Sequence, residues 1–128
     1  MEINQTGIIL YTVNYLDCIK FYNHIMGLEI LYKKESLTCF DFLGSYLMIE
    51  IDDEFNKTET LAPVRDRLCL RMNVPDVKEA CKALDKHNIP YSYGEYEWGI
   101  IAKFRDPDGN LLGFRSAKEH QEDIEIYE

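Results

Sequence analysis

Residues 14–28, NYLDCIKFYNHIMGL, and residues 75–89, PDVKEACKALDKHNI, decide the fold. In the first stretch Asn14 is a helix N-cap residue and Leu16, Ile19, Tyr22 and Met26 recur at helical spacing. Gly27 then supplies a residue free to take the left-handed conformation that ends a helix. In the second, Pro75-Asp76 opens a helix, Val77, Ala80, Cys81 and Leu84 share a face, Asn88 ends it, and Pro90 follows where a helix cannot continue. Helices are therefore predicted near 14–26 and 76–87.

On either side of each helix lie β-branched and aromatic runs that read as strands. Thr6 to Val13 precedes the first helix. Leu28 to Lys33, Leu37 to Leu43 and Ser45 to Ile51 follow it, separated by Lys34-Glu35-Ser36 and by Gly44. Leu68 to Val74 precedes the second helix. Tyr91 to Tyr93, Trp98 to Phe104 and Asn110 to Arg115 follow, the last two joined by the turn Asp106-Pro107-Asp108-Gly109. Shifting the first half by 61 positions lays Leu16 on Val77, Ile19 on Ala80, Gly27 on Asn88 and Leu28 on Ile89, so the same order, βαβββ, occurs twice. The predicted organisation is α+β and a single domain over 1–128. Its units lie at about 5–51 and 67–116, with an acidic connector at 52–66 containing Pro63. The tail at 117–128, with Glu119, Glu122, Asp123, Glu125 and Glu128, is expected to be a short helix or a frayed end.

A chain of 128 residues and 15.1 kDa, 46% apolar and 29% charged, can bury a core of its own. Fourteen basic against 23 acidic residues leave a charge of -9, which opposes both a nucleic-acid partner and an anionic membrane surface. The longest uncharged apolar-leaning run, Ile3 to Leu16, is interrupted by Asn4, Gln5, Thr6 and Asn14 and falls short of the roughly 20 residues a bilayer needs. Met1-Glu2-Ile3-Asn4 is not the basic start of a secretory signal, so a cytoplasmic location is expected. Cys18, Cys39, Cys69 and Cys81 are scattered, without a C-x-x-C pair, and read as reduced, mostly buried thiols. His24, His87 and His120 are isolated, and His87 is expected at a helix C-terminus.

The two βαβββ units, the segment Phe21-Tyr22-Asn23-His24-Ile25-Met26-Gly27-Leu28-Glu29 and the turn Asp106-Pro107-Asp108-Gly109-Asn110 resemble the vicinal oxygen chelate superfamily over about residues 5 to 116. That family contains glyoxalases, bleomycin-resistance proteins, extradiol dioxygenases and epimerases. The resemblance implies an incompletely closed, eight-stranded barrel-like sheet around a cleft, with helices on the outer face and often a second subunit completing it. It also implies, in metal-dependent members, one ligand on the first and one on the last strand of each unit. Those positions fall on Gly7 and Glu50, and on Cys69 and Gly113. Only Glu50 is a typical ligand, and a divalent metal wants three or more fixed donors. No cofactor is therefore expected, and a metal would have to rest on Glu50 and Cys69.

Strand alternation gives the lining of the cleft. If Gly7, Glu50, Cys69 and Gly113 face it, so do Ile9, Tyr11, Tyr46, Met48, Arg71, Asn73, Leu111 and Arg115. The opposite face carries Ile8, Leu10, Leu47, Ile49, Ile51, Leu68, Leu70, Met72, Leu112 and Phe114, apolar as packing under helices demands. The expected ligand-binding residues are Tyr11, Tyr46, Met48, Arg71, Asn73 and Arg115, with the two arginines suited to a planar anion such as a carboxylate. Trp98 and the Tyr91, Tyr93 and Tyr96 group are candidate covers. Alternatively Arg71, Arg115 and Glu50 form an ion-pair cluster in a filled cleft. In an enzyme Glu50 would be the general base, with Cys69 a nucleophile lacking a histidine partner. The sequence thus points first to a homodimeric, metal-independent small-molecule binder. It leaves open a glyoxalase-type lyase or isomerase with a partial metal site, and a dimerising structural or regulatory domain.

Overall fold

The structure is a computed structural model that describes residues 2–52 and 68–127. The chain divides into two compact units, residues 1–61 and 62–128. In the first, β1 (Gly7–Thr12) leads into α1 (Tyr15–Lys20), which continues as a π-helical turn over Phe21–Ile25. Strands β2 (Ile30–Lys33), β3 (Leu37–Phe42) and β4 (Ser45–Ile51) follow. In the second, β5 (Cys69–Val74), α2 (Val77–Lys86), β6 (Tyr91–Tyr96), β7 (Gly99–Arg105) and β8 (Leu111–Ser116) repeat the order, and α3 (Ala117–Tyr127) closes it. The sheets have matching topologies, β1-β4-β3-β2 and β5-β8-β7-β6. In each, the first and last strands pair in parallel, a connection that requires the intervening crossover helix, and the remaining pairs are antiparallel.

Each helix covers one face of its own sheet. In the first unit Cys18, Ile19, Phe21 and Tyr22 are buried with Phe40, Leu47 and Ile49. In the second, Val77, Cys81 and Leu84 are buried with Ala102, Phe104, Leu112 and Phe114. Three expectations need correcting. Leu16 is 78% exposed, because the buried stripe of α1 runs through Tyr15, Cys18, Ile19 and Tyr22, and Leu16 lies about 100° round the helix from it. Ile8, Ile51 and Leu68 share the apolar side yet are exposed: Ile8 lies on the edge strand β1, Ile51 is the last residue of β4, and Leu68 lies ahead of β5. Asn14 holds the N-cap position without a side-chain capping bond, whereas the Asp76 carboxylate accepts the Glu79 N–H at 3.1 Å.

The helix stops are the elements the two units share most closely. Gly27 and Asn88 are both left-handed, at φ +75° and +56°. Behind Asn88 the Ile89 N–H bonds the Leu84 carbonyl at 2.9 Å and the Asn88 N–H bonds that of Asp85 at 3.1 Å, a Schellman closure. In the first unit the Leu28 N–H reaches one residue further back, to the Tyr22 carbonyl at 3.0 Å. Gly7 to Cys69 and Tyr15 to Val77 are offsets of 62 at the starts of β1 and β5 and of the two helices, whereas Gly27 to Asn88 is one of 61. The π turn, closed by Met26 N–H to the Phe21 carbonyl at 3.0 Å, absorbs the extra residue.

The tail is an eleven-residue helix, and β6 runs on to Tyr96. Of the expected connector at 52–66, only Asp52 falls within the described residues; it is buried, and its N–H donates to the Thr12 carbonyl at 2.9 Å.

Candidate functional site

Strand pairing settles which side chains share a face. In the first sheet Gly7 pairs with Tyr46, Ile9 with Met48 and Tyr11 with Glu50, all on the side away from α1. Leu37, Cys39 and Asp41 join them from β3, and Tyr32 from β2. Tyr11, Tyr46, Met48 and Glu50 are thus brought together, with Tyr46, Met48 and Glu50 half-buried and Tyr11 exposed. Gly7 is not an open position, because a Cβ built there would fall inside the ring of Tyr46. Tyr32 adds to this face: its hydroxyl is raised above its ordinary range, first by a hydrogen bond with the buried Cys39 thiol.

In the second sheet Cys69 pairs with Leu111, Arg71 with Gly113 and Asn73 with Arg115, on the side away from α2. Ile101 and Lys103 come to this side from β7, and Ser92, Gly94 and Tyr96 from β6. A hollow of about 290 Å³ lies here, lined among others by Arg71, Ser92, Tyr96, Trp98, Ile101 and Lys103. Lys103 and Ser92 were not singled out in the sequence, although alternation along β7 from Ile101 reaches Lys103. Tyr91 and Tyr93 are corrected: they point to the α2 side, where the Tyr91 hydroxyl donates to Asp85 Oδ1 at 2.9 Å and Lys78 Nζ lies 6.0 Å from the Tyr93 ring centre. Tyr96 and Trp98 remain, stacked at 5.0 Å between ring centres.

Arg115 is engaged in the structure. Its guanidinium donates to the Trp98 carbonyl at 2.9 Å and lies 5.6 Å from the Trp98 ring centre, and it pairs with Asp123 of α3 at 3.4 Å. It therefore positions Trp98 and tethers the last helix. Beside it the Ser116 hydroxyl accepts the Ile100 N–H at 3.0 Å and holds the Glu119 carboxyl below its ordinary range.

The register also shows which positions of the two sheets are internal counterparts. Tyr46 pairs with Gly7 and Leu111 with Cys69; Glu50 stands four residues after Tyr46 and Arg115 four after Leu111, while Met48 and Gly113 each stand two after. The counterpart of Glu50 is Arg115, and Gly113 corresponds to Met48. The four positions that the resemblance implies, Gly7, Glu50, Cys69 and Gly113, hold a glycine under a tyrosine ring, a carboxylate, an exposed thiol and a second glycine. Two residues without a side-chain donor atom, beside one carboxylate and one thiol, do not fit a divalent metal, which needs three or more fixed donors. Among the described residues, no group of three or more His, Cys, Asp or Glu side chains is placed to hold an ion.

Residues 3–114 match the family model described as the Glyoxalase/Bleomycin resistance protein/Dioxygenase superfamily. Lactoylglutathione lyase from Agrobacterium tumefaciens superposes with a TM-score of 0.67 at 19% identity, over 88% of this chain and 92% of its own. TnmS3, an antibiotic binding protein from Streptomyces sp. CB03234, superposes with a TM-score of 0.69 at 20% identity, over 91% and 98%. A Bacillus anthracis protein described as of the glyoxalase family gives 0.70 at 18%, over 91% and 96%. At these identities the likeness is one of fold. No curated protein matches the sequence.

Proposed function

The chain belongs to the glyoxalase/bleomycin resistance protein/dioxygenase superfamily, and from that membership we propose that it binds a small organic molecule, without a metal ion, on the side of its sheets away from α1 and α2. Similar folds occur in a lyase and in an antibiotic-binding protein, so the fold does not choose between catalysis and binding. The residues do. The observation that carries the reading is the set Gly7, Glu50, Cys69 and Gly113 at the positions that the resemblance gives to the family's metal ligands, together with a hollow lined by Arg71, Lys103, Tyr96 and Trp98.

The same reading takes the protein as cytoplasmic and homodimeric, with reduced thiols, three of them buried. Among the described residues no helix is long and apolar enough to cross a membrane. The strands β1, β2, β5 and β6 end their sheets, and exposed Ile9, Tyr11 and Leu31 on the first two offer apolar surface to a second copy. The functional test is a thermal-shift screen of small organic acids, bases and neutral compounds with EDTA present. At least one compound should raise the melting temperature. A response that requires added zinc, nickel or manganese would count against the proposal and favour the lyase or isomerase reading, with Glu50 as general base.

A further inference from the structure

Gly113 lies in β8 between Arg71 on β5 and Lys103 on β7, its register partners on either side. With no side chain at 113, the two cations flank a bare stretch of backbone two strand spacings wide, about 9.5 Å between their Cα atoms. Both side chains are long enough to converge above it. Neither is paired with an acid among the described residues, whereas exposed Lys82 and Lys78 each have a glutamate partner. Two uncommitted cations at one hollow stand out on a chain of net charge -9.

Beside the cations the hollow is lined by Ser92, by Ile101 and by aromatic rings. Tyr96 leans back over Gly94, whose Cβ would meet the ring at 2.6 Å, and Trp98 stacks on Tyr96 with the rings 3° from parallel. The two rings keep 56% and 49% of their surface exposed, and Arg115 fixes the backbone behind Trp98. Flat rings beside paired cations favour a ligand that is flat, apolar along one side and anionic at one end.

We propose that this hollow is a subsite for a planar aromatic carboxylate, whose carboxylate is held by Arg71 and Lys103 above Gly113 and whose ring lies against the Tyr96 and Trp98 wall. The assignment rests on the small-molecule reading above and specifies the ligand class. Trp98 is the sole tryptophan, so its fluorescence reports on the site directly.

The test is titration of the full chain, with EDTA present, against benzoate, benzyl alcohol and benzylamine, while following Trp98 emission excited at 295 nm. Benzoate should give a saturable change that weakens as salt rises, and the neutral and cationic isosteres should give none at equal concentration. Arg71→Gln and Lys103→Gln should each weaken benzoate roughly tenfold or more, the scale of a lost charge-assisted hydrogen bond. Gly113→Val should also weaken it, since a Cβ at 113 meets only ordinary contacts at 3.5 Å and the branched side chain rises between the cations. Circular dichroism checks that each variant is folded. A benzoate response unchanged in both cation variants, or a preference for benzylamine, would overturn the assignment. If benzoate fails while a neutral or basic compound in the thermal-shift screen binds, the subsite is wrong and the small-molecule reading stands. If nothing binds in either experiment, both fall.

Discussion

A Cβ on Gly7 would enter the ring of Tyr46, so this glycine is where it is because its neighbour lies across it. Gly7→Ala should cost about 1–3 kcal/mol in urea unfolding, the range for overpacking, and should cost less in a Tyr46→Ala background, where the ring is gone. Arg115 makes a second residue-scale prediction. Its partner Asp123 is 67% exposed, so that ion pair contributes at most about 1 kcal/mol, and the bond to the Trp98 carbonyl is the part with structural consequence. Arg115→Met should therefore shift Trp98 emission and destabilise modestly, by about 1–2 kcal/mol, removing also the positive charge beside the Glu119 carboxyl. Alternation in the sequence correctly put Arg71 and Arg115 on one face, but it could not show that Arg115 is already occupied. Nor could it show that, by register, Arg115 is the internal counterpart of Glu50. Both facts depend on pairing between strands some 40 residues apart, which local pattern does not encode.

The two-residue hairpin between β3 and β4 places Leu43 at φ +51° and Gly44 at φ +94°. Two positive values in succession suit Asn-Gly, and a leucine there is strained and, at 97% exposure, buries nothing. Leu43→Asn should raise stability by about 1 kcal/mol, read as a higher urea midpoint at unchanged slope. At the seam between α2 and β6, the Tyr93 hydroxyl is pushed up to about 12 by loss of water contact and by its 2.8 Å hydrogen bond to Glu95. Because the folded value lies above the ordinary tyrosine value of 10.0, the stability linked to it is complete below pH 10 and is lost as pH rises through about 12. Alkaline melting curves of Tyr93→Phe should accordingly fall less steeply over that window than those of wild type. The helices were legible because their stops, Gly27 and Asn88, are local signals. The π turn was not: one added residue between Phe21 and Ile25 leaves composition unchanged and alters only which carbonyl each N–H reaches.

At the scale of the whole molecule, repetition of βαβββ could be read directly, since both units carry the same sequence of strand runs, helix and left-handed stop. Repetition does not extend to chemistry. The strand positions that match across the units hold Gly7 and Cys69, Ile9 and Arg71, and Glu50 and Arg115, so the first sheet's face away from α1 is largely aromatic and apolar with two carboxylates, Asp41 and Glu50, while the second's face away from α2 carries the cations. This division of labour is what a binder of small amphipathic molecules would need, and it is poorly suited to a symmetric metal shell. The most direct measurement is calorimetric titration of the metal-stripped protein with zinc, nickel and manganese, repeated on Glu50→Gln and Cys69→Ser. The account predicts no stoichiometric binding by wild type and no difference among the three proteins. One ion bound per chain, and lost in both variants, would contradict it.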